Sequence, residues 1–550
     1  MTDDFDFAYI VIGSGFGGSV SAYRLTEKGY RVAVLEQGRR WTPDNLPSTN
    51  WKAWDYLWRP ALGLKGFLSL RLFSHVLILD SAAVGGGSIT YAQTLLTPPD
   101  SVWSEGEWAG LDDWRAVMPM HYATAKRMLG VTRNRRPAAA DFKLRDMAKA
   151  ARVDDSFYLT DVGVFFGNDE DPPGAEYADP FFGGEGPTRN SCIGCGGCMT
   201  GCRFNAKNTL DKNYLYLAEK GGAEVRAETK AVDVRPIGAA DGSGGYEVFT
   251  EPTFARWRKP RTRLTARKVI VAASSLGTLD LLFKLKEAGS LPMISNALGK
   301  RVRTNAESIL GVRYPGTKED MSKGVAIGSG IYIDEHTHIE AVRYAEGSNL
   351  LSSLLTTLTG GRPGPTRFFS WLGAVGKLLV TRPIAGLRSL IPYRFSNETV
   401  IFLVMQTLDS HLDMRLTRPW FWPFGKVLTS HGAPIPTFIP EANAFTEKAA
   451  KATGGIGQSS ISEILFNVPM TAHCMGGCAM ADSPERGVID RENRVFNYQG
   501  LQVIDSSMLA ANLGVNPCLT ITALAERAMS FVPAKPRVSD PAPSADARLV

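Results

Sequence analysis

Hydrophobic positions along the chain fall into short runs separated by glycine-rich turns. Phe7-Ala-Tyr-Ile-Val-Ile12 is a run of β-forming apolar residues, and Arg31–Glu36 is a second. Between them Val20, Ala22, Tyr23 and Leu25 fit one face of a helix that ends at Gly29. A third strand-like run, Lys268–Ala273, passes into Ser274-Ser-Leu-Gly277 and a helical stretch carrying Leu279, Leu281 and Leu282. A fourth, Leu501–Ile504, ends at Asp505, and Asn516-Pro517 precedes a helix predicted from Cys518 to about Met529. Strand, helix and strand in succession make a βαβ unit, so the fold class is α/β.

Because these runs lie at both ends and in the middle, the Rossmann-like domain must be assembled from discontinuous segments, taken as 1–110, 203–310 and 468–532. The intervening 111–202 and 311–467 are assigned to an α+β substrate domain, the former including a cysteine-rich segment. Residues 533–550, rich in Pro, Ala, Ser and Asp, read as a loose tail. Leu350, Leu351, Leu354, Leu355 and Leu358 form an apolar helical stripe, whose ordinary meaning is core packing.

Composition narrows the classes. The 550 residues are 44% hydrophobic, enough for two to four structural units with large cores. The 61 basic and 55 acidic residues leave a net charge of +6 without long Lys/Arg blocks, so nucleic acid is not an expected partner. The opening Met-Thr-Asp-Asp is acidic and leads straight into the first strand, unlike a secretory leader. The most apolar tract, Phe368 to Pro392, is interrupted by Lys377, Arg382, Pro383 and Arg388 and does not read as a membrane span. A cytoplasmic location is expected. Seven Cys, four of them between Cys192 and Cys202, do not look like an extracellular disulfide framework.

Gly13, Gly15 and Gly18 make GxGxxG directly after the first strand. The first glycine permits the tight turn, the second the approach of a pyrophosphate, and the third close helix packing. Glu36, closing the second strand, is placed to accept hydrogen bonds from ribose hydroxyls. A dinucleotide site follows, FAD or NAD.

Further motifs carry a family resemblance. Gly514-Val-Asn-Pro-Cys-Leu-Thr-Ile-Thr-Ala-Leu-Ala-Glu-Arg527 is similar to the closing motif of the glucose-methanol-choline (GMC) flavin oxidoreductases. Ala472-His-Cys-Met-Gly-Gly477 resembles their histidine-containing segment, Gly85-Gly-Gly-Ser88 the loop beside the flavin, and Ser275-Leu-Gly-Thr-Leu-Asp-Leu-Leu282 another family segment. The motifs follow the family's order nearly end to end, most like the non-secreted, cysteine-containing cholesterol oxidase branch. The resemblance implies FAD, held non-covalently because Gly85–Tyr91 contains no His. It places Gly13, Gly15, Gly18 and Glu36 on the ADP half and Val232 near the adenine. Gly85, Gly86, Gly87 and Ser88 then lie beside the flavin, and Asp505, Asn516 and Thr520 complete the flavin end. Tyr91 stands where many relatives have Asn.

The implied reaction is oxidation of a secondary alcohol on a bulky lipid, a 3β-hydroxysteroid first, with O2 or another electron acceptor. A long-chain alcohol, another ketosteroid reaction and a flavin/iron–sulfur electron carrier are the alternatives. Alcohol oxidation needs a hydride acceptor, a group for the hydroxyl proton and a dry pocket. His473 matches the active-site histidine and Asn516 its partner. Glu340, in His338-Ile-Glu-Ala-Val-Arg-Tyr344, resembles the carboxylate held over the steroid, where it would move a proton from C4 to C6 during Δ5 to Δ4 isomerisation. Its plainer reading is an ion pair with Arg343.

Cys192, Cys195, Cys198 and Cys202 have the spacing C-x2-C-x2-C-x3-C found in bacterial ferredoxins, although Arg203 stands where those have Pro. An iron–sulfur cluster, a structural zinc and metal-free packed thiols are the three readings. Phe368-Phe-Ser-Trp-Leu372 and Leu378-Leu-Val380, with basic residues between them, together with Trp51, Trp54, Tyr56, Leu57 and Trp58, suggest a rim for peripheral membrane contact.

Overall fold

The computed structural model describes residues 5–255, 259–361, 365–419 and 424–536; the tail expected over 533–550 therefore lies outside the described residues from 537 onward. Two seven-stranded sheets carry the architecture. In the first, the strand Phe7–Ile12 lies between Val32–Leu35 and Thr262–Val271, all three parallel. Glu224–Arg226 extends one side and Leu501–Val503 pairs in parallel with Thr262–Val271. The antiparallel strands Thr229–Pro236 and Tyr246–Pro252 complete the sheet. Parallel strands covered on both faces are apolar throughout, and Val32–Leu35 is buried at every position.

Helix Phe16–Glu27 follows the first strand and Cys518–Ser530 follows the last, and the two pack together beside helix Trp114–Met128. Trp108, Trp114 and Met118 thus belong to the core of the nucleotide sheet, although they lie near or beyond the boundary drawn at 110 from sequence.

The second sheet is built from Tyr158–Leu159, Ile327–Tyr332, Thr337–Val342, Thr399–Gln406, Ser308–Arg313, Ile456–Ser460 and Leu355–Thr357, in that spatial order. Alternation along its strands separates two environments. Ile339, Ala341, Val400, Phe402 and Val404 pack under helices Ala139–Ala151 and Pro440–Thr453. Val342, Ile401 and Leu403 face the other way, into a cavity against the first sheet's loops. The leucine stripe is not a helix across its length: Leu350–Leu354 is a 3-10 turn and Leu355–Thr357 an edge strand. Leu351, Leu354 and Leu355 line the cavity. Among the described residues no helix is long and apolar enough to cross a membrane.

Candidate active site

One cavity of about 670 Å3 runs from the carboxyl ends of the parallel strands to the apolar face of the second sheet. At its first end the glycine motif divides its labour. A Cβ on Gly13 would sit 2.3 Å from the Ala272 carbonyl oxygen, and one on Gly18 2.0 Å from that of Gly13, so both glycines serve close backbone packing. A Cβ on Gly15 would meet no protein atom within 4 Å. Gly15 begins the helix Phe16–Glu27, whose N-terminus has no side-chain cap and no acid in its first turn. Open space in front of free N–H groups is what a pyrophosphate requires.

Glu36 lines the same end and is buried. It accepts hydrogen bonds from Ser14 N–H (3.1 Å), Ser14 Oγ (2.8 Å) and Gly38 N–H (2.7 Å). Burial raises its carboxyl pKa and those bonds oppose the rise. Val232 lines this end as well, and Gly86 and Gly87 carry the wall onward, Gly86 pressed against Gly15 so that a Cβ there would be 2.5 Å from the Gly15 Cα.

Several residues named from sequence stand behind the wall. Gly85 donates its N–H to Ser14 Oγ (3.0 Å). Ser88 Oγ donates to the Gly85 carbonyl (2.6 Å) and accepts Leu210 N–H (3.0 Å), which holds the loop's shape. Thr520 is buried and bonded to the Tyr122 hydroxyl at 2.9 Å, away from the cavity. Asp505 does line the cavity, fixed by Thr278 Oγ1 (2.5 Å) and Ser507. Tyr91 also lines it and donates its hydroxyl to the Asn208 carbonyl (2.7 Å).

His473 and Asn516 both line the cavity. The His473 Nδ1–H is engaged by Glu307 Oε1, and Glu307 Oε2 takes the Ala472 N–H at 2.9 Å, so Nε2 is the ring nitrogen left for substrate. Glu307 was not singled out from sequence. Asn516 donates Nδ2–H to Glu340 Oε2 (3.2 Å), while Asn516 Oδ1 and Glu340 Oε1 are buried without a partner. Burial pushes the Glu340 carboxyl up to about 8, the Asn516 bond lowers it and the Glu307 charge raises it. The ion pair between Glu340 and Arg343 is absent, because three residues along a strand reverse the face: Arg343 turns to Asp141 (2.5 Å) on the helix side. Beyond this group Met199, Ile309, Ile327, Val342, Leu354 and Leu403 form an apolar wall.

The cysteine segment does not fit a metal cluster. Among the described residues no group of three or more His, Cys, Asp or Glu is arranged to hold a metal ion. Cys192 and Cys202 instead pack with Val162, Val164, Phe166 and Val325, and burial pushes the Cys192 thiol up to about 12. The spacing of Cys192, Cys195, Cys198 and Cys202 serves a tight turn: Gly194, Gly196 and Gly201 all have positive φ, and the turn presents Met199 to the cavity.

Residues 404–525 match the GMC oxidoreductase family and residues 11–42 the NAD(P)-binding Rossmann-like domain. A cholesterol oxidase of Acinetobacter baumannii is 58% identical, over 97% of this chain and 95% of its own. One from Mycobacterium tuberculosis is 44% identical, over 96% and 92%. The crystal structure of pyridoxine 4-oxidase from Mesorbium loti shares the fold, with a TM-score of 0.58 at 15% identity over 95% of this chain and 98% of that one. The chain belongs to the GMC oxidoreductases. It is an FAD-dependent enzyme acting on CH–OH groups, and both of these bacterial relatives carry the name cholesterol oxidase.

Proposed function

We propose that this enzyme oxidises the 3β-hydroxyl of a sterol to the ketone, with O2 as final acceptor, and then shifts the Δ5 double bond to Δ4. The observation that carries the reading is the contact between Asn516, which lines the nucleotide-binding cavity near its apolar wall, and the half-unpaired Glu340 buried behind it. The identity with cholesterol oxidases over nearly the whole chain supports it.

FAD, when bound, supplies the hydride acceptor. His473 Nε2 takes the hydroxyl hydrogen bond and then its proton, and Glu307 keeps the ring oriented and stabilises the resulting imidazolium. Asn516 bonds Glu340 through its Nδ2–H, and its unpartnered Oδ1 is available to that hydroxyl. In the second step Glu340, as carboxylate, removes a proton from C4, and as the acid returns it at C6. The apolar wall excludes water from both steps. An anaerobic panel of sterols, long-chain alcohols and small alcohols tests the reading: 3β-hydroxysterols should bleach the flavin fastest, and preferential bleaching by straight-chain alcohols would refute it.

Two finer readings belong here. We infer a division between a nucleotide unit and a substrate unit along the two sheets, with helix Trp114–Met128 on the nucleotide side. We also infer peripheral membrane contact through helices Pro365–Thr381 and Pro383–Leu390. Their Phe369, Val380, Ile384 and Leu387 are exposed, Lys377 and Arg382 flank them, and no acid occurs from 365 to 397. Trp371 Nε1 donates to Thr356 Oγ1 (2.9 Å), which ties this surface to the strand beside the apolar wall.

A further inference from the structure

Glu340 stands in a cross-strand row whose other members carry no assigned role. Three neighbouring strands align Tyr158 with Gly330 and Gly330 with Glu340. Residues directly opposite in a sheet share a face about 5 Å apart, so Tyr158 and Glu340 point the same way with only a glycine between them. Gly330 leaves that space to polar atoms: a Cβ there would be 2.8 Å from His338 Nε2 and 2.9 Å from the Tyr158 hydroxyl.

His338 lies two residues before Glu340 on the same strand and so on the same face. It is fully buried, stacked on Tyr332 with ring centroids 4.6 Å apart. Its two bonds determine the direction of every proton in the group. Nδ1 lies 3.1 Å from the Gly514 carbonyl oxygen, which can only accept, so Nδ1 carries the hydrogen. Nε2 is then the bare nitrogen, and at 2.7 Å it accepts the Tyr158 hydroxyl proton. The tyrosine thus turns its proton to the histidine. Glu340 Oε1, buried and unpartnered, receives no hydrogen from it. Gly514 opens the segment that reaches Asn516, which Asn305 braces from the other side through Gly514 N–H (2.9 Å) and the Val515 carbonyl (3.0 Å).

We propose that His338 is a positioning residue that withholds the Tyr158 hydroxyl proton from Glu340 and, through the Gly514 carbonyl, fixes the turn carrying Asn516. A tyrosine beside a buried carboxyl would otherwise donate to it and hold it as a carboxylate. The base would then be too weak to leave C4 of a substrate deprotonated and, as the acid, too short-lived to deliver the proton to C6. The same imidazole locates the oxidation partner Asn516, so one residue keeps the two halves of the site in register. Burial lowers the His338 pKa to about 4, so the ring stays neutral in this role across the working range. The groups facing Glu340 are Asn516, Tyr158, Tyr332 and His338, with the Glu307 charge further off.

The inference rests on the reading of Glu340 as the isomerisation base, and its test is read independently of turnover. In the FAD-loaded enzyme, the infrared carbonyl stretch of protonated Glu340, assigned by its loss in Glu340→Gln, is followed against pH. In His338→Leu the freed hydroxyl turns to Glu340, and the midpoint should fall by about one pH unit or more. Adding Tyr158→Phe to that variant removes the donor and should bring the midpoint back toward that of the parent. Tyr158→Phe alone keeps the ring stack and should leave the midpoint unchanged or raise it. An unchanged midpoint in His338→Leu, a midpoint that stays low in the double variant, or a fall in Tyr158→Phe alone would overturn the proposal. Failure of the isomerisation reading shows separately, as enone formation by Glu340→Gln at the parent rate.

Discussion

The His473 ring is fixed: its Nδ1–H is taken by Glu307, itself buried and held by the Ala472 N–H. His473→Ala or Asn516→Ala should retain FAD and lower alcohol-driven flavin reduction about 10²-fold or more, measured by anaerobic stopped flow. Glu307→Gln should cost less and act through His473, since the amide still bonds the ring but no longer balances an imidazolium. Glu340 adds a pH signature. Its pKa of about 8 means that the carboxylate fraction, and with it conversion of a Δ5-3-ketone supplied directly, rises with pH up to about 8 and then levels. The same raised value works against stability. An unfolded Glu ionises near 4.3, so the folded protein holds the extra proton between about 4 and 8 and loses stability as pH rises through that window. Glu340→Gln should therefore melt a few degrees above the parent at pH 9 and level with it at pH 4, by calorimetry. At this scale the sequence reveals residues that sit in motifs: Gly15, Glu36, His473 and Asn516 all reach the cavity. Glu307, Tyr158 and His338 were not legible as site residues, because their partners lie 166, 180 and 176 positions away and no local spacing records such contacts. Motif membership also misleads about facing. Ser88 and Thr520 sit in matched segments, yet their hydroxyls are spent on Leu210 and Tyr122.

At the scale of elements, periodicity reads regular strands well and irregular turns poorly. Phe7–Ile12 and helix Cys518–Ser530 lie where apolar runs place them. The leucines from 350 to 358 mimic a helical stripe, but they are spread over a 3-10 turn and an edge strand because their partner is a cavity wall and not a helix-packing core. The cysteine segment is a similar case, in which ligand spacing coincides with the demands of a glycine-rich turn. Protein purified without oxygen should carry no iron in proportion to FAD, and Cys195→Ser should leave the flavin spectrum unchanged; stoichiometric iron would overturn this account of the segment. The helices Pro365–Thr381 and Pro383–Leu390 are amphipathic in the opposite sense to core helices, with Phe369, Val380 and Ile384 outward. Replacing all three by Asp should reduce co-sedimentation with anionic vesicles at least tenfold. Turnover of detergent-dispersed sterol should stay within about twofold, since none of the three lines the cavity.

At the scale of the molecule, the nucleotide sheet joins residues nearly 500 positions apart, and the joint is made by backbone against backbone. A Cβ on Gly17 would lie 1.8 Å from the Ile504 carbonyl oxygen, so helix Phe16–Glu27 can approach the C-terminal strand only because position 17 is glycine. Gly15, two residues earlier, faces open space. The motif marks Gly15 for the pyrophosphate and leaves Gly17 unassigned, and only the return of the strand Leu501–Val503 to the first sheet gives Gly17 its role. The discontinuity itself was legible, since the strand-like runs fall at both ends and in the middle; the close approach at Gly17 was not, because it depends on a partner the local motif does not contain. The two positions should respond differently to a single methyl group. Gly17→Ala must push the helix off the strand and should destabilise the protein with or without cofactor, lowering Tm in both states and the yield of folded enzyme. Gly15→Ala has room for its methyl in the protein alone, so the cofactor-free form should melt within about a degree or two of the parent. That methyl occupies the space before the helix N-terminus, where a pyrophosphate must approach the backbone. FAD affinity should fall tenfold or more, and the rise in Tm on adding FAD at fixed concentration should shrink by mass action. Equal losses of cofactor-free stability at both positions would mean that Gly15 serves packing, and would move the phosphate site away from this helix.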